Sequence, residues 1–430
     1  MLLIYTHKIT PRLNYIFKHF FTRILQIPIT FTTKVEEFVA HNGPKITYSK
    51  QPLGSEFFVR SYDLLFEQGI NDVDIHISKW DDVECFFPAG EISHIPFDIF
   101  AAGFYLISRY EEYLPHVKNE HDCFSPEESI AYKFKFLEKP VVDIWAFKLL
   151  DILKEKFPNY ELKERNFNRI STINVNKAFA YKHKGIVRTI ADFLTDIFTL
   201  QFVDFWNRLL TVFKFNPDPF NTFSKIIEIS KSTNTETIFF FLLADFNTFD
   251  RNISFSNNKF RSLIKSVADY AKVGLLPSYF TLKNVEKLKK EKLRLENIIN
   301  TPVTFSRKYY LRLSIPESFQ NLIDLDLEED FSMGYMEKPG FRASTCTPFY
   351  FYDLDFEIQT PLKITPFAFM DITLKDYLKL SNDESQMKIL KLKEEVKKVN
   401  GTFVSVFHND ALSENYRWKG WTTIYMKMLT

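Results

Sequence analysis

The sequence predicts an α/β protein in two parts, a smaller N-terminal α/β domain over residues 1–165 and a (β/α) barrel over residues 166–430. Three observations carry this. A chain of 430 residues with 45% hydrophobic content supplies enough apolar surface for more than one core. Beyond Ile170, the short apolar runs ISTINVN, TIFFFLLAD, GLLPSY and GTFVSVFHND each end in polar or ionisable groups, with helical segments between them. Such runs suit parallel strands covered on both faces by helices, and polar groups at strand ends make the C-terminal mouth of a barrel the natural site. Any one run taken alone reads as an ordinary strand-to-loop transition; together they favour the barrel. Between the two parts lies the polar stretch PNYELKERNFNR, at 158–169.

In chain order, MLLIYTHKITPRLNYIF opens with an apolar run of four residues followed by His, Lys and Arg, with no small-residue cleavage site. It is read as a strand and not as a signal peptide. VECFF, around Cys85, is a second short strand, and 98–113 and 142–157 carry apolar residues at helical spacing. The longest oily stretch, 190–215, is interrupted by Asp192, Asp196, Asp204 and Arg208. Each would cost about 3 kcal/mol in a bilayer core, so neither a transmembrane helix nor membrane insertion is expected. The segment NVEKLKKEKLRLENIIN, at 284–300, alternates Lys and Glu around a Leu and Ile stripe, which predicts a solvated helix and not a nucleic-acid face.

Charge is balanced, 55 basic against 54 acidic residues, so no overall field draws nucleic acid, an anionic membrane or an acidic substrate. Any site must therefore be local. Cys85, Cys123 and Cys346 are odd in number, far apart and lack CxxC spacing, which argues for reduced thiols and a cytoplasmic location.

Six blocks carry a resemblance: SRYEEYLP (108–115), TINVNKAFAYKHKG (172–185), GLLPSY (274–279), SRKYYLRLSIP (306–316), DFSMGYMEKPGFRA (330–343) and FHND (407–410). In this order they resemble a polysaccharide deacetylase-like family of Bacteroidetes, within the carbohydrate esterase superfamily. The resemblance covers nearly the whole chain, and SMGY with GFRA is its most specific part. It implies a distorted (β/α) barrel of polysaccharide deacetylase type and a metal-dependent ancestry acting on N-acetylated sugars. In such a site a divalent metal activates water, a carboxylate takes the water's proton, and an imidazole protonates the leaving amine.

Against that pattern the chain departs at four positions. Asn174 stands where the resemblance implies the general base, and Asn176, Leu276 and Tyr309 stand at implied metal-ligand positions. An amide accepts no proton at neutral pH and is a poorer cation ligand than a carboxylate. Leucine has no donor atom, and a phenol with pKa near ~10 is a poor zinc ligand. Catalytic zinc is held by three protein groups plus water, so the ancestral zinc is expected to be lost and no cofactor is expected.

Other matching positions are kept. The resemblance implies that His408 is the general acid, oriented by a carboxylate such as Asp371, with Arg342 nearby. Their plain alternatives are a satisfied buried histidine and an arginine paired with a carboxylate beneath the barrel mouth. Asp245, Asp250 and His183 are candidates for a rebuilt metal site, and equally for loop or helix-cap groups. Arg109, Glu111 and Glu112 are expected at the contact between the two parts, with sugar contact as the second option.

The expected function is a catalytically impaired polysaccharide deacetylase-like protein that keeps a site for a glycan or N-acetylated sugar, with no nucleic-acid partner. Two alternatives stand beside it. One is an active carbohydrate de-N-acetylase using relocated ligands or no metal; the other is a scaffold that binds a protein partner, since a fold does not decide a function.

Overall fold

The first apolar run becomes β1 (Leu2–Tyr5), an inner strand of a four-stranded parallel sheet. Its neighbours are β2 (Ile29–Thr32) on one edge and β3 (Lys45–Ser49) on the other, with β4 (Phe57–Arg60) beyond β3. An antiparallel pair, β5 (Ser78–Trp80) and β6 (Val83–Cys85), follows. The computed structural model describes residues 1–158 and 165–430, so half of the expected linker, 159–164, lies outside the described residues.

Both predicted N-terminal helices form, as Ile99–Ile107 and Val141–Lys156. Asp98 caps the first by accepting from the Phe100 and Ala101 amides, each at 3.0 Å, and also takes the Tyr48 hydroxyl at 2.6 Å. The whole of this helix is buried, and the rings of Phe17 and Phe100 stack at 3.9 Å against it.

The second part is built on nine strands: β7 (Asn168–Val175), β8 (Glu236–Phe241), β9 (Lys272–Leu275), β10 (Phe305–Ser306), β11 (Glu329–Asp330), β12 (Phe349–Asp353), β13 (Ile358–Ile364), β14 (Phe369–Met370) and β15 (Thr402–His408). Their spatial order is β12-β13-β11-β10-β9-β8-β7-β15-β14, parallel throughout except for the antiparallel edge pair β12 and β13. Alternate residues face opposite ways. Ile238 and Phe240 join Leu276, Phe331, Met370 and Val404 in one apolar cluster, while Phe239 and Phe241 face the main core. Because the smaller cluster unites strands from the middle of the sheet with residues near its far end, the sheet wraps around it.

The wrapped α/β sheet agrees with the expected class, but closure does not follow. Among the described residues no ladder joins β13 to β14, so the expected barrel is an open sheet as paired. The physical reason is length: β14 is two residues long and its register is taken by β15.

Residues of the 1–165 and 166–430 segments share one apolar core and also meet at buried ion pairs. Arg342 donates to Glu112 at 2.8 and 2.6 Å, and Arg109 donates to the same carboxylate at 2.7 Å and pairs with Glu111 at 2.8 Å. Arg109 also donates to the carbonyl of Arg342. This is the contact expected of the SRYEEYLP block. Asp143 makes a second contact by accepting from the Thr345 hydroxyl at 2.6 Å and the Cys346 amide at 3.0 Å.

The expected solvated helix forms as Val285–Ile299, with one correction. Glu291 and Arg294 turn inward: Glu291 accepts from the Ser278 amide and hydroxyl at 2.9 and 2.5 Å, and Arg294 donates to the Leu243 carbonyl at 2.8 Å. The three cysteines are free and buried. Among the described residues no helix is long and apolar enough to cross a membrane.

Candidate functional site

β7 and β15 lie side by side with Asn174 opposite His408, so the last residues of both strands open onto the same end of the sheet. The turn after β10 brings Lys308 and Tyr309 to that end. Between these segments is a cavity of ≈ 250 Å³, whose lining includes Asn174, Asn176, Lys308, Tyr309, His408 and Asp410. Four of the residues singled out from sequence thus come together, and the Asn176 amide donates to the Tyr309 hydroxyl at 3.3 Å.

Asp371 follows β14 and is fully buried. It accepts from the His408 backbone amide at 2.7 Å, and its other oxygen pairs with His408 Nδ1 at 2.8 Å. This arrangement fixes the ring and leaves Nε2 as the nitrogen outside the pair. Burial opposes charge on the imidazole, Asp371 outweighs it, and the pKa lies above the ordinary histidine value. His408 is therefore suited to holding a proton that it can give up.

The strongest charge near Asn174 is Arg307, which pattern reading missed although it stands in the SRKYY block. Its Nη1 donates to Thr172 Oγ1 at 2.6 Å and to Asn174 Oδ1 at 3.3 Å, and its Nε donates to the Phe331 carbonyl at 2.9 Å. Nη2 is buried without a partner among the described residues. The guanidinium lies over the Phe240 ring at 4.8 Å. Burial pulls its pKa down to about 9, with Asp330 opposing the shift, and burial likewise lowers Lys308 to about 8.

These groups do not fit a divalent cation. Of the four implied positions, two present amides and one a phenol whose pKa burial raises. Leu276 sits in the inner apolar cluster and carries no donor. The Asn174 oxygen already accepts from a guanidinium, and Lys308 adds a second positive charge. Among the described residues no group of three His, Cys, Asp or Glu side chains is placed to hold a metal.

The candidates for a rebuilt site are dispersed. Asp245 pairs with Arg294 at 2.6 Å, and buried Asp250 takes Asn247 at 2.6 Å and the Tyr279 amide at 3.0 Å. His183 is exposed, its ring 4.8 Å from that of Phe179. Arg342 is absent from the cavity wall; its guanidinium is taken up by Glu112, the carboxylate that the structural alternative called for.

Residues 2–158 match a family described only as a family of unknown function, DUF7033. No curated protein matches the chain. Among solved structures the chain is similar to a putative polysaccharide deacetylase from Mycobacterium smegmatis, at 10% identity and TM-score 0.40, covering 63% of this chain and 85% of that one. It is also similar to a polysaccharide deacetylase from Bacillus cereus, at 11% identity and TM-score 0.31, covering 61% and 87%. A CE4 family pseudoenzyme from Bacillus anthracis follows at 12% identity and TM-score 0.29, covering 61% of each chain. Likeness at this level leaves the reading of the site to its own residues.

Proposed function

We propose that this is a polysaccharide deacetylase-like protein, of the kind found in Bacteroidetes, whose degenerate site takes a glycan without a metal and without hydrolysing it. The same reading takes the protein to be cytoplasmic and to serve polysaccharide or cell-envelope metabolism. The observation that carries the proposal is the Arg307 guanidinium on the Asn174 oxygen. A cation fixed by the protein stands next to the position where the resemblance implies a carboxylate, and there Asn174 offers it a neutral acceptor and no base.

The cavity wall suits a sugar. Asn174 and Asn176 offer amide donors and acceptors, Tyr309 a hydroxyl, and the Tyr309 and Tyr310 rings, 4.5 Å apart, an apolar face for sugar C–H groups. The purified protein is expected to carry no stoichiometric zinc by elemental analysis, to bind N-acetylated chitooligosaccharides by calorimetry, and to release no acetate from them. Tyr309→Ala is expected to weaken binding about tenfold or more, as removal of one stacking and hydrogen-bonding group does. Stoichiometric zinc, or acetate release, would overturn the reading.

One observation favours the alternative of an active hydrolase. The Asp371–His408 pair keeps a positioned proton donor in the cavity wall. That alternative requires acetate release that disappears in His408→Gln.

A further inference from the structure

The two helices Ile186–Phe198 and Phe202–Val212 form a hairpin whose faces are the reverse of those of an ordinary soluble helix. The only residues of the two helices that are fully buried are Asp196, Arg208 and Thr211. Arg208 donates to Asp196 at 2.7 and 3.1 Å and to Asp192 at 2.7 Å, so three of the four charges interrupting the oily stretch neutralise one another inside the hairpin, while Asp204 accepts from the Tyr181 hydroxyl at 3.2 Å. The apolar side chains point outward: Ile186 and Val187 are each 81% exposed and Phe198 83%. Ile190, Leu194 and Ile197 extend this stripe on the first helix, and Val203, Trp206 and Leu210 match it on the second. Exposed apolar patches of this extent mark a surface that meets something.

The rim names the partner. Among the described residues the Lys182 ammonium bonds only the Asn216 carbonyl, and the Arg188 guanidinium only the carbonyls of Asn252 and Arg251. Arg251 bonds only the Thr248 carbonyl, and Lys214 is exposed in the turn that leaves the hairpin. None of these four cations pairs with a carboxylate among the described residues. Lys182 and Lys214 thus stand together at the open end of the hairpin, where the Lys182 ammonium reaches the Asn216 carbonyl, and both can meet the phosphates of a lipid surface if the apolar face enters the acyl region. The helices have 13 and 11 residues, roughly 20 and 17 Å, short of the about 30 Å needed to cross. Trp206, with several phenylalanines, supplies the amphipathic rings favoured at that boundary.

We propose that the 186–212 hairpin docks the protein on an anionic bilayer surface by lying within one leaflet, its phenylalanines and Trp206 in the acyl boundary and its flanking cations on the headgroups. This departs from the expectation of no membrane insertion, and it requires no spanning helix. A cavity of ≈ 650 Å³ opens at the foot of the hairpin, walled by Lys184, Arg188 and Arg208 on one side and by Lys177, Asp410 and Arg417, shared with the candidate site, on the other. Docking therefore sets the mouth of the site at the lipid surface. The docking claim is independent of whether that site holds a glycan.

The test is sedimentation of the full-length protein with phosphatidylcholine vesicles, with and without phosphatidylglycerol, alongside its solution mass by light scattering. Wild type is expected to pellet with the phosphatidylglycerol vesicles and about tenfold or more less with phosphatidylcholine alone. Ile190→Asp with Phe198→Asp, changed at exposed positions, is expected to stay in the supernatant with an unchanged melting temperature. Lys182→Glu with Lys214→Glu is expected to lose the preference for phosphatidylglycerol. Trp206→Phe is expected to pellet normally but to lose the vesicle-induced blue shift of tryptophan emission. Failure of wild type to pellet would overturn the proposal, as would an apolar-face variant that pellets unchanged. So would a dimer that the apolar-face variant converts to monomer without any vesicle binding, because a second copy then covers the face.

Discussion

Arg342 and Arg307 are both buried, yet their surroundings treat the charge in opposite ways. Arg342 holds both oxygens of Glu112 and shares that carboxylate with Arg109, and despite burial its pKa is raised by Glu112. Among the described residues Arg307 has no carboxylate in contact, only a hydroxyl, an amide oxygen, a carbonyl and the Phe240 face, and burial lowers its pKa to about 9. Full compensation belongs to a joint that must not move. The uncompensated cation lies under the candidate site, where Nη2 lacks a partner among the described residues and the local charge remains open to a ligand.

The comparison breaks most visibly at Glu112. Glu112→Ala strands the buried Arg342 guanidinium, leaves Arg109 with Glu111 alone, and is expected to cost about 3–5 kcal/mol in urea unfolding, the range seen when one partner of a buried pair is removed. A smaller loss would mean that the joint is wetter than its geometry suggests. A third buried base, His19, takes a different course and gives up its charge. Both of its ring nitrogens lack partners among the described residues, and burial, with Arg23 adding to the effect, holds its pKa at about 3. The unfolded chain therefore binds the proton first. The stability from neutral His19 is complete above about pH 6.5 and is lost as pH falls toward about 3, amounting to about 2 kcal/mol at pH 5. His19→Phe is expected to flatten the acid side of a melting-temperature profile.

A sharper test addresses the site. The fourfold variant Asn174→Asp, Asn176→Asp, Leu276→His and Tyr309→His supplies donors where the resemblance implies them, but Arg307 remains to neutralise the new carboxylate at 174. Adding Arg307→Met is expected to tighten zinc binding about tenfold, or ~1.4 kcal/mol, by competition titration. Equal affinities would show that Arg307 does not govern the site's charge. The smallest effect is expected for Arg307→Met alone, within about 1 kcal/mol of wild type, since a buried charge and its polar contacts are exchanged for a well-filling apolar chain.

Much of the frame could be read directly. The runs ISTINVN and GTFVSVFHND appear as β7 and β15 because buried parallel strands need unbroken apolar stretches, and their polar ends meet at Asn174 and His408. Closure could not be read, because it depends on pairing at two-residue strands that leave no periodic signal. Nor could Arg307, whose partner Thr172 lies 135 residues away. In the oily stretch 190–215, Asp192, Asp196, Asp204 and Arg208 were legible as obstacles to a spanning helix, but which way they faced was not. Periodicity shows that a helix has two faces and leaves open which of them is turned to the protein.

The two walls of the small cavity stand on unequal footings. Asn174 and His408 end long strands laddered along their length to β8 and to one another, whereas Lys308 and Tyr309 hang from β10, which touches its neighbours over two residues. Amide exchange should be slow on the first side and faster on the second. An occupant of the cavity would then be felt as a slowing confined to the β10 side, so that one half of the sheet acts as an anvil and the other as the part that yields.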